Sequence, residues 1–135
     1  MQIFSHVTLG AEDMPRAIAF YDQVLGVLGL VRHSTDAAFA GYGHPDDTST
    51  TGENSLWILK PDNGRSAQGG NGTNVALRAT SRRQVDAFHA KAIALGGVDD
   101  GAPGLRADAH PNFYACYVFD LDGNKLVAVC HAPDG

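Results

Sequence analysis

The chain is written twice. Ala19, Phe20 and Gly29 recur as Ala87, Phe88 and Gly97, each pair 68 residues apart. Such a step constrains the fold more than composition does, because each copy must form the same supersecondary unit. In the first copy, IFSHVTLG at 3–10 alternates in character and gives way to Glu12-Asp13-Met14-Pro15, an N-cap signal with proline in the first turn. The spacing predicts a helix with the apolar stripe Met14, Ala17, Ile18, Tyr21, Val24, Leu25 and Leu28, ending at Gly29. In the second copy, TNVALRA at 73–79 leads into Ser81-Arg-Arg-Gln84, a capping box. Its helix carries Val85, Phe88, Ala92 and Leu95 and stops at Gly96-Gly97.

Shorter β-like runs follow each helix. They are LGLVRHS, AAFAGYG and NSLWILK in the first copy, then NFYACYVFD and NKLVAVC in the second. The remaining strand of the second copy falls in GGVDDGAPGLRADA, where glycines and a proline predict an irregular edge. Each copy therefore reads as βαβββ. The expectation is a single α+β domain over 1–135, with one module at about 1–62 and another at about 73–131. The two would form a curled eight-stranded mixed sheet with helices outside and a concave face within. PDNGRSAQGGNG at 61–72 reads as the connecting loop, and 44–52 as a second loop with the composition of a lid.

Charge and composition narrow the partners. A net charge of −5, with ten Lys and Arg spread without a basic run, gives no footprint for nucleic acid or an anionic membrane. No stretch approaches the roughly 20 apolar residues of a membrane span, and the N-terminus lacks a signal-peptide pattern, so a cytoplasmic protein is expected. Cys116 and Cys130 lie in apolar runs and are expected as buried free thiols.

Period-two alternation sorts the strands into faces. Phe4, His6 and Thr8 share one; so do Ser55, Trp57 and Leu59, then Asn74, Ala76 and Arg78, and finally Val127, Val129 and His131. Their opposite neighbours, such as Val7, Leu56, Ile58, Val75, Leu77, Leu126 and Ala128, are apolar and suit packing under helices. Trp57 offers a flat face for a planar ligand, with Phe4, Phe39 and Tyr114 as partners and His6, Asn74 and His110 as orienting polar groups. Ordinary core filling explains Trp57 equally well. By their polar neighbours, His33, His44 and His89 read as surface or loop residues. Gly69-Gly70-Asn71-Gly72 precedes a strand rather than a helix and lacks the helix N-terminus that cradles phosphate.

Four stretches in this order resemble the vicinal oxygen chelate superfamily of glyoxalase I, bleomycin-resistance proteins and extradiol dioxygenases. They are His6-Val7-Thr8; Ala19-Phe20-Tyr21 with Val24-Leu25-Gly26; Gly70-Asn71-Gly72-Thr73-Asn74-Val75-Ala76; and Asp120-Leu-Asp-Gly-Asn124. The resemblance covers essentially the whole chain and implies the duplicated βαβββ fold in a homodimer. It also implies where metal-using members place ligands, on the first, fourth, fifth and eighth strands. Carried over, those positions are His6, Trp57, Asn74 and Val127, of which only His6 is a good donor. The expected function is metal-independent binding of a small hydrophobic or aromatic molecule, with no cofactor, by His6, Trp57, Asn74, His110, Tyr114 and Val127. The alternative is a lyase- or dioxygenase-type enzyme with an altered divalent-metal site using His6 with His110 and His131. Metal-free acid–base chemistry by His6 or His110 also stays open.

Overall fold

The computed structural model describes residues 3–47 and 51–133, so positions 48–50 of the expected lid lie outside the described residues. Residues 1–68 and 69–135 are two compact units. The first runs β1 (His6–Gly10), α1 (Met14–Gly26), β2 (Val31–Thr35), β3 (Phe39–Gly43) and β4 (Ser55–Leu59). The second repeats this as β5 (Asn74–Arg78), α2 (Arg82–Ala94), β6 (Val98–Leu105), β7 (Tyr114–Phe119) and β8 (Lys125–Cys130). Both sheets have the same topology, β1-β4-β3-β2 and β5-β8-β7-β6, with one parallel pair followed by two antiparallel ones. The expected eight strands are all present, hydrogen-bonded as two mixed sheets of four. No helix among the described residues is long and apolar enough to cross a membrane.

Local chemistry sets the helix ends. Asp13 caps α1 by accepting from the Arg16 amide at 3.1 Å, with proline in the first turn. Past the last turn, the Leu30 amide reaches back to the Leu25 carbonyl at 3.1 Å, over Gly29 at φ +81°. The buried stripe of α1 includes Phe20, while Ile18, expected in it, is only half-buried. Ser81 caps α2 from the expected position, accepting from the Gln84 amide at 3.1 Å. The reciprocal arm differs from a regular capping box: Gln84 Oε1 takes the Thr80 amide at 2.8 Å, one residue earlier than the cap.

Three contacts tie these elements into their cores. Asp22 of α1 accepts from Arg32 Nε and Nη2 at 3.0 and 3.1 Å and from the buried Tyr42 hydroxyl at 2.7 Å, binding helix to β2 and β3. Beneath α2, Leu126, Ala128 and Cys130 of β8 and Cys116 and Val118 of β7 are buried. Both cysteines are free, as expected, and burial pushes the Cys116 thiol up to about 11. The DLDGN stretch is a turn held by the buried Asp120, whose Oδ1 accepts from the amides of Asp122 and Asn124 at 2.9 and 2.8 Å. Gly69 lies against it so closely that a Cβ there would stand 1.9 Å from the Gly123 carbonyl oxygen. The edge strand β6 is as irregular as its glycines predict, with register shifts between Asp99 and Gly101 and between Gly101 and Gly104.

Candidate ligand site

In residues 1–68 the sheet presents two unlike faces. Ala40, Tyr42, Leu56 and Ile58 are buried on the α1 side. On the other side β3 offers Gly41 and Gly43, and β4 offers Ser55 and Trp57. Gly41 is the register partner of Trp57, and a Cβ on it would come within 2.6 Å of indole Cζ3. The indole thus occupies the space that a missing side chain leaves. Its Nε1 donates to the Gly52 carbonyl at 3.1 Å, and its ring meets Phe39 and His33 edge-on at 5.8 and 5.3 Å. Phe39 is therefore the aromatic partner anticipated for Trp57, while Phe4 stands 68% exposed.

His33 adds to the sequence reading. It is exposed, as a surface residue should be, yet its ring forms one wall of a cavity of about 450 Å³ beside Trp57. Ser34, Gly43, Glu53 and Ser55 are among the other residues that line it. The cause is a bulge in β2: Arg32 pairs with Tyr42 and Ser34 with Gly41, which leaves His33 as the extra residue. Strict alternation would put His33 and Ser34 on opposite faces. The bulge brings both to the Trp57 side, where Ser34 Oγ and Ser55 Oγ lie 2.8 and 2.9 Å from Nδ1 and Nε2 of His33. Ser55 donates its only proton to the Glu53 carbonyl, so it accepts from His33 Nε2–H, and the Ser34 hydroxyl donates to Nδ1. These partners match the Nε2–H tautomer of the ring. Thr51 in turn hydrogen-bonds the Glu53 carboxylate.

The corresponding face in residues 69–135 is apolar at its centre. Val127 and Val129 are buried with Ala115, and Phe113 and Tyr117 pack against them. Arg106 and Lys125 both lie over the Tyr117 ring, at 5.4 and 5.3 Å. Asn74 and Arg78 on β5 are exposed. Tyr114, expected on this face, is on the other: it pairs in register with Cys130, and its hydroxyl donates to Asp86 of α2 at 2.6 Å. That hydrogen bond, with lesser help from burial, raises the Tyr114 hydroxyl above its ordinary value. Its place near a strand start gave no hint, because period two needs a known phase. His89 is likewise no loose surface residue. It is half-buried on α2, and its Nε2 lies 2.8 Å from Asp99, whose carboxyl is lowered first by that bond.

The histidines of the metal-using alternative each have partners within their own unit. His6 is exposed, with Nδ1 3.0 Å from the Ser5 hydroxyl. His110 and His131 do meet, Nε2 to Nδ1 at 2.7 Å. But the Asn112 amide donates to His110 Nδ1 at 3.0 Å, so the proton of a neutral His110 sits on Nε2, the nitrogen a metal would need. Among the described residues no three His, Cys, Asp or Glu side chains form a group that could hold a metal ion. The register also removes any doubt about equivalence within the duplication. Trp57 stands opposite Thr8 just as Val127 stands opposite Ala76, with Thr8 and Ala76 68 positions apart and their partners 70. Neither side chain can donate to a metal.

Comparisons with known proteins agree with this architecture. The model of the Glyoxalase/Bleomycin resistance protein/Dioxygenase superfamily matches residues 3–128. A glyoxalase/bleomycin resistance protein from Albidiferax ferrireducens T118 is similar at 35% identity and a TM-score of 0.83, over 97% of this chain and 100% of that one. A glyoxalase/bleomycin resistance protein/dioxygenase family enzyme from Burkholderia phytofirmans PsJN shares the fold at 17% identity and a TM-score of 0.70, covering 95% and 98%. So does the fosfomycin resistance protein FosX from Listeria monocytogenes, complexed with Mn(II) and sulfate ion, at 17% identity and 0.68 over 98% and 92%. The comparison with curated proteins gives no match.

Proposed function

The chain belongs to the Glyoxalase/Bleomycin resistance protein/Dioxygenase superfamily, and we propose that within it the protein binds a small molecule with an aromatic or apolar part, without a divalent ion. The observation that carries this reading is the cavity of about 450 Å³ against Trp57, a size that suits a small organic ligand. Its wall supplies an indole for stacking and hydroxyl groups for orientation, with the His33 ring fixed between two serines. The ligand site so placed uses Trp57 from the expected set and adds His33, Ser34 and Ser55. Metal independence is supported by donor chemistry. The four positions that the family resemblance marks for ligands are an imidazole, an indole, a carboxamide and an isopropyl group. The degenerate-site reading extends to a homodimer, on the same resemblance.

Trp57 is the only tryptophan, which makes the test direct. Protein dialysed against EDTA is titrated with a panel of naphthols, indoles and coumarins while Trp57 emission is followed. The expected result is saturable quenching by at least one compound, unchanged when Mn(II) is added back. His33→Ala, which opens one wall, should weaken that binding roughly three- to tenfold, the scale of one lost neutral contact. Quenching that appears only with Mn(II), or stoichiometric metal retained through purification, would overturn the reading. Sedimentation equilibrium checks the dimer.

A further inference from the structure

We propose that the cavity beside Trp57 selects an arylalkyl ammonium, an aromatic ring set against the indole and joined to a cation that carries N–H donors. The inference rests on the reading of that cavity as a ligand site and adds the charge and hydrogen-bonding class of the ligand.

The first ground is where the protons of the wall go. Its side-chain donors belong to His33, Ser34, Thr51, Ser55 and Trp57, and each is already committed within the wall. Trp57 Nε1–H donates to the Gly52 carbonyl at 3.1 Å, and the Ser55 hydroxyl donates to the Glu53 carbonyl at 3.0 Å. The Thr51 hydroxyl donates to the Glu53 carboxylate. Ser34 donates to His33 Nδ1 at 2.8 Å, and His33 Nε2–H donates to Ser55 Oγ at 2.9 Å. What these bonds leave over is lone pairs, on the hydroxyl oxygens of Ser34 and Ser55, the carbonyls of Gly52 and Glu53, and the Glu53 carboxylate. A ligand carboxylate would meet this surface oxygen to oxygen. A ligand N–H supplies what the wall lacks.

The second ground is charge. The lining includes the carboxylates of Asp47 and Glu53 and neither a lysine nor an arginine. Both carboxylates are exposed, so each contributes modestly and salt screens it. The negative face of the half-buried indole draws a cation in the same direction. Together these effects favour a positive ligand by about tenfold over a neutral one of the same shape.

The turn that carries Glu53 is fixed by the protein itself. Gly52 and Asn54 take left-handed backbone at φ +78° and +52°, and the Asn54 amide donates to the Ser5 carbonyl at 2.6 Å. The Thr51 hydroxyl then holds the Glu53 side chain. Acceptors held in place cost little further ordering when a ligand binds. The volume of about 450 Å³ has room for a bicyclic ring and a short amine arm.

A matched series on one naphthalene ring tests the proposal: naphthylethylammonium, its N-trimethyl form, naphthylethanol and naphthylacetate. Each is titrated into the full chain at about pH 8, where an alkylamine of ordinary value about 10 is protonated, while the indole N–H signal of Trp57 is followed by nuclear magnetic resonance. The ammonium should bind about tenfold tighter than the alcohol, with the trimethyl form, a cation without N–H, between them and the acetate weakest. Glu53→Gln should bring the ammonium to within about threefold of the alcohol, and so should about 1 M salt in the parent chain. Equal affinity for ammonium and alcohol, a tighter acetate, or a Glu53→Gln protein with the parent preference would each overturn this inference while leaving an aromatic site beside Trp57. Binding of none of the four would remove the inference and the ligand site together.

Discussion

Gly41→Ala is the sharpest perturbation of the Trp57 wall. A Cβ on residue 41 would lie 2.6 Å from indole Cζ3, 2.8 Å from indole Cε3 and 2.8 Å from His33 Cε1. Ordinary carbon contacts begin near 3.5 Å, so the indole and the imidazole must each give by roughly 1 Å. Neither can do so freely. Trp57 is anchored by its bond to the Gly52 carbonyl, and Gly52, at φ +78°, would itself meet the indole within 2.6 Å if it bore a Cβ. His33 is held at both nitrogens. Overpacking of this kind costs about 1–3 kcal/mol, and loss of the indole hydrogen bond would add about 1 kcal/mol. Urea denaturation followed by circular dichroism should therefore show a lower midpoint with an unchanged slope. The emission of Trp57 should shift to the red as the ring moves toward water. Gly41→Ala combined with Trp57→Ala should recover the overpacking cost, since the two contacts are a single interaction in a double-mutant cycle. A Gly41→Ala protein with stability within about 0.5 kcal/mol of the parent and unshifted emission would refute the placement of the indole.

Three further expectations follow from buried polar groups. Tyr42→Phe removes the hydroxyl that donates to Asp22 and should cost about 1–2 kcal/mol in denaturant melts. Burial first, and then that bond, raises the Tyr42 hydroxyl above its ordinary value, so the folded state resists losing this proton. Stability from this group is full below the unfolded value of about 10 and is lost as pH rises beyond it, a loss that Tyr42→Phe should partly remove in alkaline melts. Asp120→Ala removes the acceptor of the Asp122 and Asn124 amides and of the Asn124 side chain, and should cost about 3 kcal/mol. Finally, Cys116 and Cys130 should stay unreactive toward a thiol reagent at neutral pH and both react once the chain is unfolded.

Much of the architecture was legible because it is local. The cap at Asp13, the cap at Ser81 and the stops at Gly29 and Gly96 depend on residues a few positions apart, and all four sit where the spacing predicts. The faces of β4, β5 and β8 follow from period two, since successive side chains on an extended backbone must point opposite ways. Even the irregularity of β6 was signalled by Gly101, Pro103 and Gly104. The place of His33 beside Trp57 and the side of β7 that carries Tyr114 were not legible, because a bulge in β2 and the register of β7 with β8 set the phases of those strands.

The sequence by itself determined the duplication, the element order, the helix boundaries and the absence of metal donors at Trp57 and Val127, all properties of residue type and short spacing. The tertiary structure alone decided which distant side chains meet. Gly41 admits an indole 16 positions away, Ser55 orients His33 across the sheet, and His110 finds His131 at the end of the last strand. Such meetings depend on strand register and loop path, which are settled by the packing of the whole unit and leave no periodic trace in the chain.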